Sequence, residues 1–161
     1  MPDVPEPITF AIAGRLPGKQ SVRTGKGRAY IPTKSRRAME AVRAAFELAA
    51  PRDWQPWSGP VELLVAIYRE PPRSWPKWRR ALAIQDRVLD TAKPDASNVL
   101  KGIEDGLKGA AYDDDAQIAI GHQEKRFAPA TGVRVKLRFH AALPERKARQ
   151  ERPVIGAARA G

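Results

Sequence analysis

Cysteine is absent from this 161-residue chain, and long apolar runs are absent with it. The first absence excludes disulfides, thiolate zinc sites and cysteine nucleophiles. The second leaves no stretch near the roughly 18 apolar residues that a membrane-spanning helix needs. The start of the chain, Met1 to Gly14, carries acids and only a short apolar run, unlike a secretory signal. We therefore expect a soluble cytoplasmic protein of one domain, with no membrane partner.

Acidic residues are scarce relative to basic ones. The chain has 18 of them against 29 lysines and arginines, which gives a net charge of +11 and a pI near 10.4. Five basic and two acidic residues lie from Pro144 onward, so most of the excess belongs to the body of the protein. An excess of this size in a small domain indicates a polyanionic partner, chiefly nucleic acid. Solubility alone, or a general enrichment in arginine, is the plainer alternative.

Hydrophobic periodicity predicts two helices and four strands. Apolar residues recur at three- and four-residue steps from Ser35 to Ala50 and from Ser97 to Leu107, which is typical of helices. Short runs rich in β-branched or alternating apolar residues predict strands. The strands are Ile8 to Ile12, Val61 to Tyr68, Ala116 to Gln123 and Gly132 to His140. We expect the last two strands to pair with each other.

The order of these elements predicts an α+β fold. With a glycine-punctuated loop or hairpin from Ser21 to Tyr30, the order is β(β)αβαββ. This order predicts a single small domain over residues 1–143, in which two main helices pack on a mixed sheet. Residues 144–161 lack periodicity and are expected to form a basic, flexible tail.

Basic residues gather in two segments of the chain. In the glycine-punctuated loop, small residues let the backbone and long cationic side chains approach a phosphate together. From Pro72 to Lys93, basic residues alternate with Trp75 and Trp78. Such a segment can hold a phosphate backbone and stack on exposed bases, or it can be a short helix that docks its tryptophans on the core. The candidate DNA-binding residues are Lys19, Arg23, Lys26, Arg28, Arg73, Lys77, Arg79, Arg80 and Lys93.

The second predicted helix concentrates polar side chains on one face. At about 100° per residue, Val99, Ile103 and Leu107 form a buried stripe. The opposite face gathers Asp95, Asn98, Lys101 and Asp105. A glycine-rich turn and three consecutive aspartates, Asp113 to Asp115, follow the helix.

Acids concentrated within a basic protein suggest a metal site. Three aspartates in a row repel one another unless a cation is present. Carboxylate oxygens are preferred ligands of Mg²⁺ and Mn²⁺, and a metal on a phosphate-attracting surface is what phosphodiester cleavage needs. We expect Asp95 and Asp115 to meet in space and hold one divalent ion, with Asp114 as a further ligand. In the alternative, Asp95 only caps the helix and the three aspartates form a solvated turn.

The segment from Lys93 to Ile118 resembles the signature of RusA-type Holliday-junction resolvases. The shared pattern is Lys-Pro-Asp-x-x-Asn-x-x-Lys, a short helix, and then Tyr-x-Asp-Asp-x-Gln-Ile. The opening Gly-x-Leu-Pro-Gly-Lys fits more loosely. The resemblance implies a bacterial or phage homodimer that works on nucleoid DNA. Such a dimer binds four-way junctions and introduces paired, symmetric nicks with Mg²⁺ or Mn²⁺.

The resemblance also implies roles for individual residues. Asp95 corresponds to the first catalytic aspartate, and Asp115 corresponds to the aspartate of the second cluster, with Asp114 beside it. Lys101 corresponds to the functional lysine of the family. Asn98 and Asp105 occupy motif positions along the helix, where they can support the metal ligands.

Ser97 departs from the family pattern, because many members carry an aspartate at this position. A hydroxyl is a weaker Mg²⁺ ligand than a carboxylate. Asp105, Asp113 or Asp114 would then compensate, or more water would complete the metal shell, or the activity would be reduced.

Two other functions fit part of the sequence. A non-catalytic DNA- or RNA-binding protein would use the same basic surface and keep its acidic cluster for structure alone. A metal hydrolase of small phosphate esters would use the acids without needing the basic surface. A strong fall of substrate affinity with salt would argue for a DNA enzyme against this hydrolase, because counterion release gives steep salt dependence.

Overall fold

The computed structural model describes residues 3–25 and 27–142, so Lys26 and the predicted tail over 144–161 lie outside the described residues. The described chain forms three helices and six strands, and a short 3-10 helix, Asp115–Gln117, precedes the fifth strand. The elements are β1 (Ile8–Ala13), β2 (Arg23–Gly25), β3 (Arg28–Tyr30), α1 (Thr33–Ala49), β4 (Val61–Arg69), α2 (Lys77–Ile84), α3 (Ala96–Leu107), β5 (Ile118–Phe127) and β6 (Gly132–Phe139). The α+β class predicted from the sequence is confirmed.

Four of the strands form one mixed sheet in the order β1-β6-β4-β5, while β2 and β3 form a separate hairpin. Strand β6 is antiparallel to β1 and β4, and β5 is parallel to β4. The predicted pairing of the last two strands is therefore wrong, because β4 lies between them. Val61, Leu63 and Val65 of β4 are almost completely buried, which suits a strand with neighbours on both edges. The connection from β5 to β6 crosses the end of β4, where the Ala128 amide donates to the Arg69 carbonyl oxygen at 3.0 Å.

Helices α1 and α3 pack against each other, α1 beside β1 and α3 beside β5. Val42 of α1 and Ile103 and Leu107 of α3 are fully buried in the core that the helices share with the sheet. Gly106 allows the two helices to approach closely, because a Cβ at this position would lie 2.9 Å from the Met39 carbonyl oxygen. The apolar stripe predicted for α3 thus packs in the core and holds the helix in place. The polar residues of α3 face outward. In the part of the chain that the structure describes, no helix is both long enough and apolar enough to span a membrane.

Helix α2 is an eight-residue element between β4 and α3 that the predicted order omitted. It begins after Pro76, and the preceding Trp75 packs edge-to-face on Phe127 of β5 at 5.3 Å between ring centroids. Trp78 of the same helix is 65% exposed. One tryptophan therefore docks on the core, and the other is free to contact a partner.

The connection from β4 to β5 determines the direction of α3. After β4 and α2, the chain is held at the carboxyl ends of β4 and β5, where Arg69 forms a bidentate pair with Asp90 at 2.6 and 3.0 Å. The Lys125 ammonium also donates to the Ala92 carbonyl oxygen there. Strand β5 starts beside the beginning of β4, since Ile118 pairs with Val61. Helix α3 must therefore run opposite to β5.

Candidate active site

The amino end of α3 lies in a basic groove of about 820 Å³. Asp95 occupies the position before the helix, is exposed, and makes no capping hydrogen bond with its side chain. The interpretation of Asp95 as a helix cap therefore has no support in the described contacts. The cationic residues that line the groove beside Asp95 and Asn98 are Arg15, Lys19, Lys34 and Lys93.

The loop before the β2–β3 hairpin builds one wall of this groove. The Lys19 amide donates to the Asn98 carbonyl oxygen at 2.9 Å, and the Arg15 guanidinium donates to the Lys93 carbonyl oxygen at 3.0 Å. Gly18 packs so closely that a Cβ would lie 3.1 Å from the Asn98 Cβ. The loosely matching Gly-x-Leu-Pro-Gly-Lys segment thus brings cations to Asp95. The sequence analysis did not single out Arg15, because it occupies the variable position of this loosely matching segment.

The middle of the polar face of α3 carries Lys101 and Asp105. The Asp105 carboxylate forms an ion pair with the Lys19 ammonium at 2.6 Å. Lys19 and Asp105, both predicted site residues, are therefore paired with each other. Lys101 is exposed. It is near enough to Glu104 to lower the pKa of that carboxyl, although other influences on Glu104 are stronger. Lys101 is thus an exposed cation on the face of α3 between Asp95 and the aspartate turn.

The carboxyl end of α3 lies against the aspartate turn. The Lys108 ammonium contacts Asp114 at 2.7 Å and Asp115 at 3.4 Å. Asp114 also accepts a hydrogen bond from the Ala116 amide at 3.0 Å and forms a reciprocal capping box with Gln117. The bond from Lys108 and the backbone bond lower the pKa of Asp114 to about 2. The Asp114 side chain thus stabilises the turn, and the Asp115 carboxylate has fewer described partners than Asp114.

Glu104 is an acid at this end that the sequence analysis did not single out. Its pKa is raised, first by burial and then by the negative charges of Asp115 and Asp105. A cation bound near Glu104 would therefore favour its charged form. The signal available in the sequence was its adjacency to Asp105, but neighbouring residues on a helix do not share a face.

Two further residues of the signature hold the aspartate turn in place. The Gln117 side-chain amide donates to the carbonyl oxygens of Trp57 and Gly59 at 2.7 and 2.9 Å. Tyr112 is fully buried, and its hydroxyl donates to the Glu104 carbonyl oxygen at 3.0 Å. These residues are structural, and they attach the turn to both α3 and the start of β4.

The structure does not bring Asp95 and Asp115 together within one chain. They lie at opposite ends of α3, whose twelve residues span about 18 Å at the usual rise of an α-helix. Across residues 3–25 and 27–142, no group of three or more histidine, aspartate or glutamate side chains is arranged to hold a metal ion. Both ends offer the oxygen ligands that Mg²⁺ prefers, but a shared ion would need a second copy of the chain.

The remaining predicted DNA-binding residues lie on two further surfaces. Arg73, Lys77 and Arg80 line a groove of about 480 Å³ beside α2, and Arg79 stacks on the Trp75 ring at 3.9 Å. Arg23 and Arg28 are exposed on the β2–β3 hairpin, and Lys26 lies outside the described residues. Of the described candidates, Lys19 is paired with Asp105 and Arg79 is stacked on Trp75, and the others present cations to the surface.

Fold and site together define a basic α+β domain in which an exposed carboxylate lies among cationic side chains, an arrangement suited to a protein that cleaves nucleic acid. The family model of the endodeoxyribonuclease RusA matches residues 16–138. The chain belongs to the RusA endodeoxyribonuclease family, as its signature indicated. It is also similar to the uncharacterized protein YqaN of Bacillus subtilis (strain 168). The two are 31% identical over 120 residues, which cover 73% of this chain and 83% of YqaN.

Proposed function

We propose that this protein is a Mg²⁺- or Mn²⁺-dependent endonuclease that resolves four-way DNA junctions by paired, symmetric nicks. The observation that carries the proposal is the placing of exposed Asp95 inside a groove of cations, within a chain of the RusA family. Cations fix the phosphate backbone, and a carboxylate among them can hold the metal. When bound, the metal would polarise the scissile phosphate, activate water and stabilise the leaving oxygen.

We propose further that the metal is shared between two copies of the chain. Asp95 and Asp115 are a helix length apart in one chain, so one ion can bind both only if Asp95 comes from one copy and Asp115 from the other. A two-fold homodimer would then hold two equivalent sites. This arrangement suits a four-way junction, whose opposed strands are related by an approximate two-fold axis.

The residues of the chain have distinct tasks in this proposal. Arg15, Lys34 and Lys93 draw the phosphate backbone into the groove, and Asn98 lies beside them. Lys101 is placed to offset the negative charge that develops on the phosphate during cleavage. Asp114, held by Lys108 and its own cap, keeps Asp115 in place.

A junction-binding protein without catalysis is the second candidate, and the firm structural role of Asp114 favours it. In that protein the aspartate turn would serve only to begin β5. It would bind DNA through the same cations and would never cut. The two candidates therefore differ in metal-dependent cleavage and not in affinity.

The test is incubation of the protein with end-labelled four-way, forked and linear DNA of matched sequence, with Mg²⁺, with Mn²⁺ and with a chelator. We expect symmetric nicks in the four-way substrate only, and only with metal. Junction binding should persist in the chelator and weaken steeply with salt, because it depends on phosphate contacts. Tight binding of the four-way junction without cleavage under any metal would establish the binding protein instead.

A further inference from the structure

Strand β5 forms one edge of the sheet and presents a long unpaired backbone. It has ten residues, and within residues 3–25 and 27–142 β4 is its single neighbour. Among the described residues, no backbone hydrogen bond joins the outer edge of β5 to another segment. The side chains from Ala119 to Glu124 are all exposed. An open edge of this length is a template for pairing with another chain.

We propose that this edge pairs with the same edge of a second copy, antiparallel and about a two-fold axis near His122. The two sheets would then join into one sheet of eight strands, with all helices on the same side. The inference rests on the proposed function, in which two copies complete each metal site. It adds the surface through which the two copies meet.

The charges along β5 limit where the axis can lie. With the axis at His122, Glu124 faces Ile120 of the second copy and Lys125 faces Ala119, so no like charges are opposed. An axis at Glu124 or Lys125 would set two identical charges directly opposite each other, which destabilises a cross-strand pair. Like charges thus exclude an axis at Glu124, Lys125 or Arg126, and an axis near the middle of the ten-residue strand pairs the most residues. Together these two conditions place the axis between Gly121 and Gln123.

The direction of α3 distinguishes the β5 edge from the β1 edge. Helix α3 contacts β5 and runs opposite to it, so Asp95 lies toward the end of β5 and Asp115 lies at its beginning. Antiparallel pairing sets the beginning of one β5 beside the end of the other. Asp115 of one copy and Asp95 of the other thus come to the same end of the interface. Pairing through β1, which packs beside α1, would keep them apart.

The absence of cysteine from the chain makes the interface directly testable by single-cysteine crosslinking. Gly121→Cys, His122→Cys and Gln123→Cys would each be oxidised mildly and analysed on a non-reducing gel. At the axis of an antiparallel pair a residue faces its own copy at about 4.5–5.5 Å between Cα atoms, which a disulfide can bridge. We expect a covalent dimer from at least one of the three variants.

Two matched controls use exposed positions that the pairing keeps apart. Ala119→Cys lies on the same strand, about 14–27 Å from its copy for an axis between residues 121 and 123. Ala11→Cys lies on the other edge strand, β1. Neither control should crosslink. Equal crosslinking of the controls and the central positions, or a dimer by mass that forms no disulfide at any central position, would overturn the interface.

The interface and the shared metal site can fail separately. The shared site is tested by mixing Asp95→Asn chains with Asp115→Asn chains, because a mixed dimer would hold one site with both aspartates intact. If such mixed variants cut DNA but the central cysteines do not crosslink, the shared site stands and pairing through β5 is overturned. A dimer that crosslinks at the centre of β5, but whose mixed variants stay inactive, keeps the interface and overturns the shared site. A protein that is monomeric at all concentrations and on DNA overturns both.

Discussion

Asp95→Asn and Asp115→Asn should each lower the rate of four-way junction cleavage by about a thousandfold, the scale of loss when a group that stabilises the transition state is removed. Each substitution keeps the size of the side chain and removes the charge that is proposed to bind the metal. Junction affinity should be unchanged or slightly higher, because a negative charge near the phosphates is lost. Single-turnover cleavage and gel-shift titration measure the two quantities on the same preparation.

Asp53→Asn is the matched control for these variants, because Asp53 is also an exposed aspartate, in the turn after α1, and belongs to neither acidic cluster of the signature. It should cut at the rate of the unmodified protein. If either Asp95→Asn or Asp115→Asn cut as fast as this control, that aspartate would have no part in the metal site. A parallel loss of junction affinity would instead indicate a fault in DNA binding.

Tyr112→Ala should cause the largest loss of stability among the signature residues. Tyr112 has no exposed surface, and truncating a buried aromatic residue to alanine costs about 3–5 kcal/mol. For a domain of this size, each kcal/mol lowers the melting temperature by about 2–4 °C. Thermal and urea unfolding followed by circular dichroism would measure the change.

Tyr112→Phe separates the packing of the ring from its hydroxyl group. It removes only the hydrogen bond to the Glu104 carbonyl oxygen, worth about 1 kcal/mol. Tyr30→Ala, at a tyrosine that is 51% exposed, should change the free energy of unfolding little. If Tyr112→Ala were no less stable than Tyr30→Ala, the aspartate turn would not be anchored as described.

The sequence predicted the helices and strands well wherever one face of an element is buried. The predicted bounds of α1 and α3 differ from the observed ones by at most two residues at each end. Their apolar stripes are confirmed, because Val42, Val99 and Ile103 are fully buried. Periodicity reports which face of an element is buried, and that information defines a helix or a strand.

Strand order and the short helix α2 could not be predicted from periodicity. Alternating apolar residues in β6 show that one face is buried, but they do not show which strands lie on either side. Helix α2 has a single fully buried residue, Ala83, so it leaves almost no apolar pattern. Its attachment depends on Trp75 packing against Phe127, a contact between distant parts of the chain.

The candidate site was predicted residue by residue but not in its spatial arrangement. Spacing and residue type singled out Asp95 and Asp115 as candidate metal ligands. They did not show that the two residues lie at opposite ends of α3, one helix length apart in one chain. The cations of Arg15 and Lys34 were missed because they reach the groove from other elements. The assignment of Asp95 and Asp115 to one ion therefore stays a prediction, and it now requires two chains.

Mixing Asp95→Asn chains with Asp115→Asn chains, under conditions that exchange subunits, tests the shared site most directly. In a mixed dimer one site joins the two intact aspartates and the other joins the two asparagines. Random exchange should therefore restore about a quarter of the normal number of sites, seen as single nicks in the four-way junction. A mixture as inactive as either variant alone would contradict a metal site built from two chains.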